Sequence, residues 1–171
     1  QFLKYIKFLC ISNVYLFHIV MLKAREADQL ALIVQKFGGS SVANAERIMN
    51  VAQRVIETYR QGNQVLVVLS AQGDTTDELI EKAMEINKKP SKREMDMLLS
   101  TGEQISIALM AMAISKLGCQ AVSLTGAQVG IHTDSMHTHA RIENIDSKRV
   151  RLELEAGKIV IVAGFQGIDK H

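Results

Sequence analysis

Three short apolar runs constrain this chain most: LALIVQKF (Leu30 to Phe37), VLVVLSA (Val65 to Ala71) and KIVIVAGF (Lys158 to Phe165). Each is strand-length and apolar on both faces, the pattern of strands buried in a parallel sheet. Between the first two, Ala45, Ile48, Ala52, Val55, Ile56 and Tyr59 recur at helical spacing, and Gly62 is placed to close that helix. Strand, helix and strand in this order make a βαβ unit. Downstream, Thr75 to Glu78, Ser91 to Glu94 and Thr101 to Gln104 each read as a capping box. They predict three helices, over residues 75–87, 91–100 and 101–118, with Pro90, the only proline, marking a break. Gln120 to Leu124 predicts a further strand, residues 130–140 a polar loop, and Arg149 to Ala156 a charged helix stopped by Gly157. The expected fold class is α/β, with a mainly parallel sheet covered by helices on both faces.

Composition narrows the function classes. Apolar residues make up 47% and charged residues 22%, which excludes a disordered chain. A length of 171 residues suits one domain. Cys10 and Cys119 are the only cysteines, so a disulfide scaffold or cysteine-rich zinc module is excluded and a reducing compartment fits. A net charge of +2 gives no reason to expect nucleic acid. That charge is unevenly placed: residues 1–28 carry all of it, and five of the eight aromatics fall in the first 17 residues. The first segment is interrupted by Lys4, Lys7, Ser12, Asn13 and His18, against a membrane span, and no A-x-A-like cleavage site follows it. It reads as a separate piece joined near Met21, such as upstream sequence read in frame.

Ligands of open parallel sheets collect at the carboxyl ends of the strands. The first end reads VQKFGGSSV. Lys36 is the penultimate strand residue, Gly38 and Gly39 let backbone approach a ligand, and Ser40 and Ser41 lead into a helix whose N-terminus favours an anion. This is either a phosphate site or a glycine turn with a surface lysine. It is not a P-loop, because the lysine precedes the glycines. The second end, VLSAQGDTTDE, brings the hydroxyls of Ser70, Thr75 and Thr76, which suit a polar small molecule or ordinary helix capping. In LLSTGEQIS, Glu103 falls in the first turn of a predicted apolar helix. The helix dipole accounts for it there, and so does pairing with a substrate amine. His132, Asp134, His137 and His139 lie in the predicted polar loop without metalloprotease-like spacing, so they read as solvated and no metal site is expected.

At these residues the chain resembles a known family. VQKFGGSSV, SAQGDTTDEL, STGEQIS and VAGFQGI, in this order, are similar to the amino-terminal part of the catalytic domain of aspartokinases, within the amino-acid kinase superfamily. AERI, REMDMLLS, ALMAMAI and HARI resemble it as well. The resemblance implies a three-layer αβα sandwich. It makes residues 29–171 part of a kinase domain and residues 1–28 an extension outside the family. It implies phosphorylation of the β-carboxylate of L-aspartate by ATP with Mg2+, the first step toward lysine, threonine, methionine and diaminopimelate, in the cytoplasm. The full-length parent would be an oligomer with no membrane or nucleic-acid partner. Lys36 resembles the lysine that steadies the phosphoryl group, and Gly38, Gly39 and Ser40 the turn that holds the ATP phosphates. Ser70, Thr76, Glu103 and Phe165 resemble aspartate-site residues, with Glu103 on the α-ammonium and Phe165 acting through its backbone. No role is carried over for Arg141.

No GRGGSD-type string, which in the family adds an arginine and an aspartate to the substrate site, occurs in this sequence. The 171-residue chain alone is therefore expected to turn over little or no substrate. A non-catalytic truncated chain with exposed sheet edges, or another amino-acid kinase such as N-acetylglutamate kinase, are the alternatives.

Overall fold

A computed structural model describes residues 6–11, 14–19 and 31–170, and the seam at Met21 lies outside them. Strands β1 (Ile6–Ile11) and β2 (Val14–Ile19) pair antiparallel, with Ile6 opposite Ile19. From there the order is β3 (Leu32–Phe37), a 3-10 turn (Gly39–Val42), α1 (Ala45–Arg60), β4 (Gln64–Leu69), α2 (Thr75–Ile86) and α3 (Lys92–Lys116). It continues with β5 (Ala121–Leu124), β6 (Ile131–Thr133), β7 (Ile142–Ile145), α4 (Lys148–Glu155) and β8 (Ile159–Ala163). The main sheet has the order β3-β4-β8-β5, and every pair in it is parallel. All four carboxyl ends therefore open on the same edge.

Both faces of this sheet are covered, as the apolar runs require. On one face Phe37, Val65, Val67, Leu69, Ile159 and Ile161 pack against α1 and α3. On the other, Leu66, Val122, Leu124, Val160 and Val162 pack with Val129 and with Val150 and Leu154 of α4. Each such side chain contributes about 1.5–3 kcal/mol when fully buried, so the two faces dominate the stability of the sheet. β8 is buried along its whole length, between β4 and β5. The result is the expected three-layer αβα sandwich.

Four local expectations are corrected. The helices expected over 91–100 and 101–118 are one helix. Ser91 caps it as expected, accepting from the Glu94 N–H at 3.3 Å. Ser100 and Thr101 start nothing; their hydroxyls donate back to the carbonyls of Met97 (2.8 Å) and Leu98 (2.7 Å), as interior helical hydroxyls do. By length and composition α3 is apolar enough to cross a membrane, yet Met110 and Ile114 are fully buried against the sheet. Thr75 is not a cap either. The Thr75 N–H is taken by the Gln72 carbonyl at 2.9 Å, drawing it into the first turn after Asp74, which makes no side-chain cap bond. The glycine turn does not lead straight into α1: a 3-10 turn intervenes, and Asn44 caps α1 through Arg47 N–H at 2.9 Å. Finally, the region expected as a loop contains β6, which pairs antiparallel with β7.

One ion-pair cluster ties α4 to the start of β8. Glu153, in a buried position, accepts from Lys158 Nζ at 2.7 Å and Arg149 Nε at 2.8 Å. The hydrogen bond from Lys158, then that from Arg149, holds its carboxyl below the ordinary 4.5. A carboxyl with a lowered folded midpoint stabilises above its ordinary value and loses that stabilisation as pH falls through the folded midpoint. Glu153→Gln should therefore melt below the parent at pH 7. The difference should shrink as thermal scans are repeated below pH 4.5.

Candidate active site

The strand ends converge through backbone contacts that only small residues permit. The Ser70 N–H donates to the Phe37 carbonyl at 3.2 Å, the Gly73 N–H to that of Gly39 at 3.1 Å, and the Gly164 N–H to that of Leu69 at 2.7 Å. These bonds lock the loops after β3, β4 and β8 together. At Gly39 a Cβ would overlap the Ala71 carbonyl oxygen, so no other residue fits without backbone movement. At Gly102, inside α3, a Cβ would come within 2.9 Å of the Ala71 methyl. Glycine there costs about 1 kcal/mol of helix propensity against alanine. The close approach of α3 to the β4 end is what that cost permits.

Around this junction the expected residues fall as follows. Lys36 is half-buried in β3, one residue before the end. Its neighbours Gln35 and Phe37 are buried toward α1 and α3, so strand alternation sends Lys36 to the other face. Gly38 has open space where a side chain would be, and Ser40 is exposed. The first N–H groups of the 3-10 turn, on Gly39 and Ser40, have no acceptor within their own turn. Arg47, which the sequence reading passed over, donates to the Ser40 carbonyl and adds a second cation beside the turn. An open backbone, free turn donors and two cations fit an anionic phosphate group.

Glu103 corrects its own expectation. It sits roughly three turns into α3, not in a first turn, so the helix dipole does not explain it. Its carboxyl is half-buried beside the β4 end. Burial raises its pKa above the ordinary 4.5, opposed by hydrogen bonds from its own backbone, the Ala71 N–H and the Gln166 side chain. Ser70 is half-buried on the loop after β4, and Thr76 is exposed in the first turn of α2. Phe165 is 96% exposed with φ 54°, so its ring points to solvent and only its backbone belongs to the junction. Gln166, also missed in the sequence reading, bridges to Ser100 and Gly126. The sequence places it in the family-like string VAGFQGI but gives it no role.

The histidine-rich segment does something else. His137 Nδ1 lies 3.0 Å from Asp96 Oδ2, which also accepts the Thr138 N–H at 3.1 Å; Asp134 Oδ1 accepts the N–H groups of Met136 and Arg141. These bonds fold the β6–β7 tip and fasten it to α3. Among the described residues no group of three or more His, Cys, Asp or Glu is placed to hold a metal ion.

Comparison with known proteins gives the family. The family model described as amino acid kinase family matches residues 31–171. The aspartokinase of Geobacillus stearothermophilus is 62% identical over 139 residues, 81% of this chain and 34% of the relative. Aspartokinase 2 of Bacillus subtilis is 55% identical over 139 residues, again 81% and 34%. The chain thus spans about a third of the length of these relatives. Among solved structures, the aspartate kinase from Synechocystis matches with TM-score 0.67 and 50% identity, covering 80% of this chain and 22% of that one. E. coli aspartokinase III, solved with aspartate and ADP, shares the fold at TM-score 0.65 and 22% identity, covering 83% of this chain and 42% of that one. Matched over residues 31–171 by the family model, the chain belongs to the amino acid kinase family.

Proposed function

We propose that this chain carries the phosphate turn and the aspartate side of an aspartokinase, which transfers the γ-phosphoryl group of ATP to the β-carboxylate of L-aspartate and forms 4-phospho-L-aspartate. The observation that carries this reading is the half-buried Glu103 carboxyl set against the end of β4, across the junction from the Lys36–Gly38–Gly39 turn. The names of the relatives, at 55–62% identity, support it.

Each residue has a physical task in this reading. The nucleophile is a substrate carboxylate, ionised at neutral pH given a reference value of about 3.9, so no general base is needed. Positioning and charge stabilisation remain as the main requirements of phosphoryl transfer. Lys36 supplies a point charge at the strand end for the phosphoryl group, and the N–H groups of the Gly38–Ser40 turn donate to its oxygens. ATP supplies the phosphoryl group when bound. Mg2+, for which the described residues offer no cluster of protein ligands, is carried by the nucleotide phosphates in this reading. Ser70 and Thr76 position the substrate through their hydroxyls, the Phe165 backbone lines the site, and Glu103 takes the α-ammonium. That last role separates this reading from N-acetylglutamate kinase, whose acetylated substrate has no ammonium to pair. The proposal includes a cytoplasmic location, the aspartate-derived amino-acid pathway and an oligomeric longer protein.

Two experiments test it. Residues 31–169 are grafted in place of the matching stretch of the Geobacillus stearothermophilus aspartokinase and assayed by hydroxamate formation. The chimera should turn over L-aspartate with ATP and Mg2+, and Lys36→Ala in it should lower kcat by about 100-fold or more. A folded chimera that is inactive on L-aspartate, or that prefers N-acetyl-L-glutamate, contradicts the proposal. Second, the raised Glu103 midpoint means that its stabilising share is fully present below the ordinary 4.5 and is lost as pH rises through the folded midpoint. Glu103→Gln in the 171-residue chain should therefore melt above the parent at pH 7, with the gap narrowing on acidification. In the chimera the same change should raise KM for L-aspartate about tenfold or more.

A further inference from the structure

We propose that Gln166 is the positioning residue of this site: its side-chain amide holds the Glu103 carboxylate in the orientation that meets a substrate ammonium. The inference rests on the reading of Glu103 as the ammonium partner, and extends it to a residue with no assigned role.

The geometry is specific. Gln166 Nε2 donates to the Ser100 carbonyl at 2.7 Å, one turn before Glu103 on α3. Gln166 Oε1 accepts the Gly126 N–H, on the loop after β5, at 3.4 Å. These two partners fix the amide's direction, since reversal would set oxygen against carbonyl and NH2 against N–H. The second hydrogen of Nε2 is left over, and Glu103, one turn along the same helix from Ser100, is the carboxylate it is placed to serve. The direction of the Glu103 pKa agrees, since a hydrogen bond from the Gln166 side chain lowers it. A single side chain from the end of β8 ties the β5 loop to α3 and to the carboxylate.

The backbone beside it supports the same role. Phe165 is held at φ 54°, a left-handed conformation uncommon for a bulky residue, and its ring is left in solvent. Such a conformation persists when its surroundings over-determine it. Its effect is to turn the next residue, Gln166, inward from the strand end. Glu103 itself has a long flexible side chain in a half-desolvated place. The N–H of Ala71 alone leaves it free to pivot, whereas a second donor fixes the carboxylate plane.

The test uses the 171-residue chain with glutamate side-chain carboxyls labelled with 13C, and Glu103→Gln to assign the resonance. Gln166→Leu removes both donors. Gln166→Glu keeps the shape and the acceptor for Gly126 while removing the donors and adding a like charge. The Glu103 titration midpoint should move upward in Gln166→Leu and further upward in Gln166→Glu, with the backbone amide spectrum otherwise retained. An unmoved Glu103 midpoint in a folded variant overturns the proposal. Loss of the folded spectrum in both variants also overturns it, because the amide would then be a strut of the fold. In the chimera described above, Gln166→Leu should raise KM for L-aspartate about tenfold, since a hydrogen bond to a charged group is lost, while kcat falls less. If the Glu103 midpoint moves but KM for L-aspartate is unchanged in both Gln166→Leu and Glu103→Gln, the carboxylate is not the ammonium partner. That outcome overturns the functional reading and leaves the Gln166–Glu103 linkage standing. If KM rises in Glu103→Gln but not in Gln166→Leu, the positioning role alone is overturned.

Discussion

Ala71 makes three contacts within one residue. Its carbonyl oxygen lies where a side chain at Gly39 would be, its methyl packs under Gly102 of α3, and its N–H reaches the Glu103 carboxyl. Because Ala71 lies two residues past the end of β4, the turn after β3 and the middle of α3 are both placed by reference to one strand. A larger residue at position 39 would push the turn off the β4 end, and one at position 102 would push α3 away. The charged groups of the site would then separate. Small residues at the junction are what let a cationic turn and a carboxylate share it.

This junction works because the sheet is parallel. With β3, β4, β8 and β5 all running the same way, their carboxyl ends gather at one edge, and the backbone bonds from Ser70, Gly73 and Gly164 clamp the loops that follow. The charge on either side is then divided. Lys36 and Arg47 lie by the glycine turn, and Glu103 by the β4 end. In the proposed reading, a substrate with an ammonium at one end and a carboxylate at the other would match that division, its carboxylate toward the phosphoryl donor. Chemistry of this kind asks little of protein acid or base groups and much of placement, which is where the glycines and the Gln166 bridge act.

The strands were legible in the sequence because β3, β4 and β8 are covered on both faces, β8 buried throughout, so their apolar runs stand out from everything around them. α1 was legible for the same reason in its own period. α3 was misdivided because Ser100, Thr101 and Gln104 imitate a cap, and only the back-bonds to Met97 and Leu98 distinguish an interior hydroxyl from a capping one. That error also put Glu103 in a first turn and supplied an electrostatic excuse for it. Once α3 is continuous, a carboxyl deep in the helix beside a buried strand end has no such excuse. β6 and β7 were not read because they are short and largely exposed. Arg47 and Gln166 lie inside the family-like strings AERI and VAGFQGI, but no role was read for either: Arg47 reaches back seven residues to the Ser40 carbonyl, and Gln166 bonds across the chain to Ser100 and Gly126.

The most direct measurement is a map of backbone amide shifts as L-aspartate is titrated into the 15N-labelled chain. Perturbations should gather at Ser70, Ala71, Thr76, Glu103 and Gly164 to Gln166, and be lost in Glu103→Gln. Shifts gathered instead at the opposite edge of the sheet contradict aspartate binding at the strand ends. A groove of about 320 Å³ lies there, lined by Tyr59, Arg60, Asn63, Glu155 and Lys158 among others. A strand-end response that survives Glu103→Gln undiminished contradicts the pairing of Glu103 with the substrate ammonium.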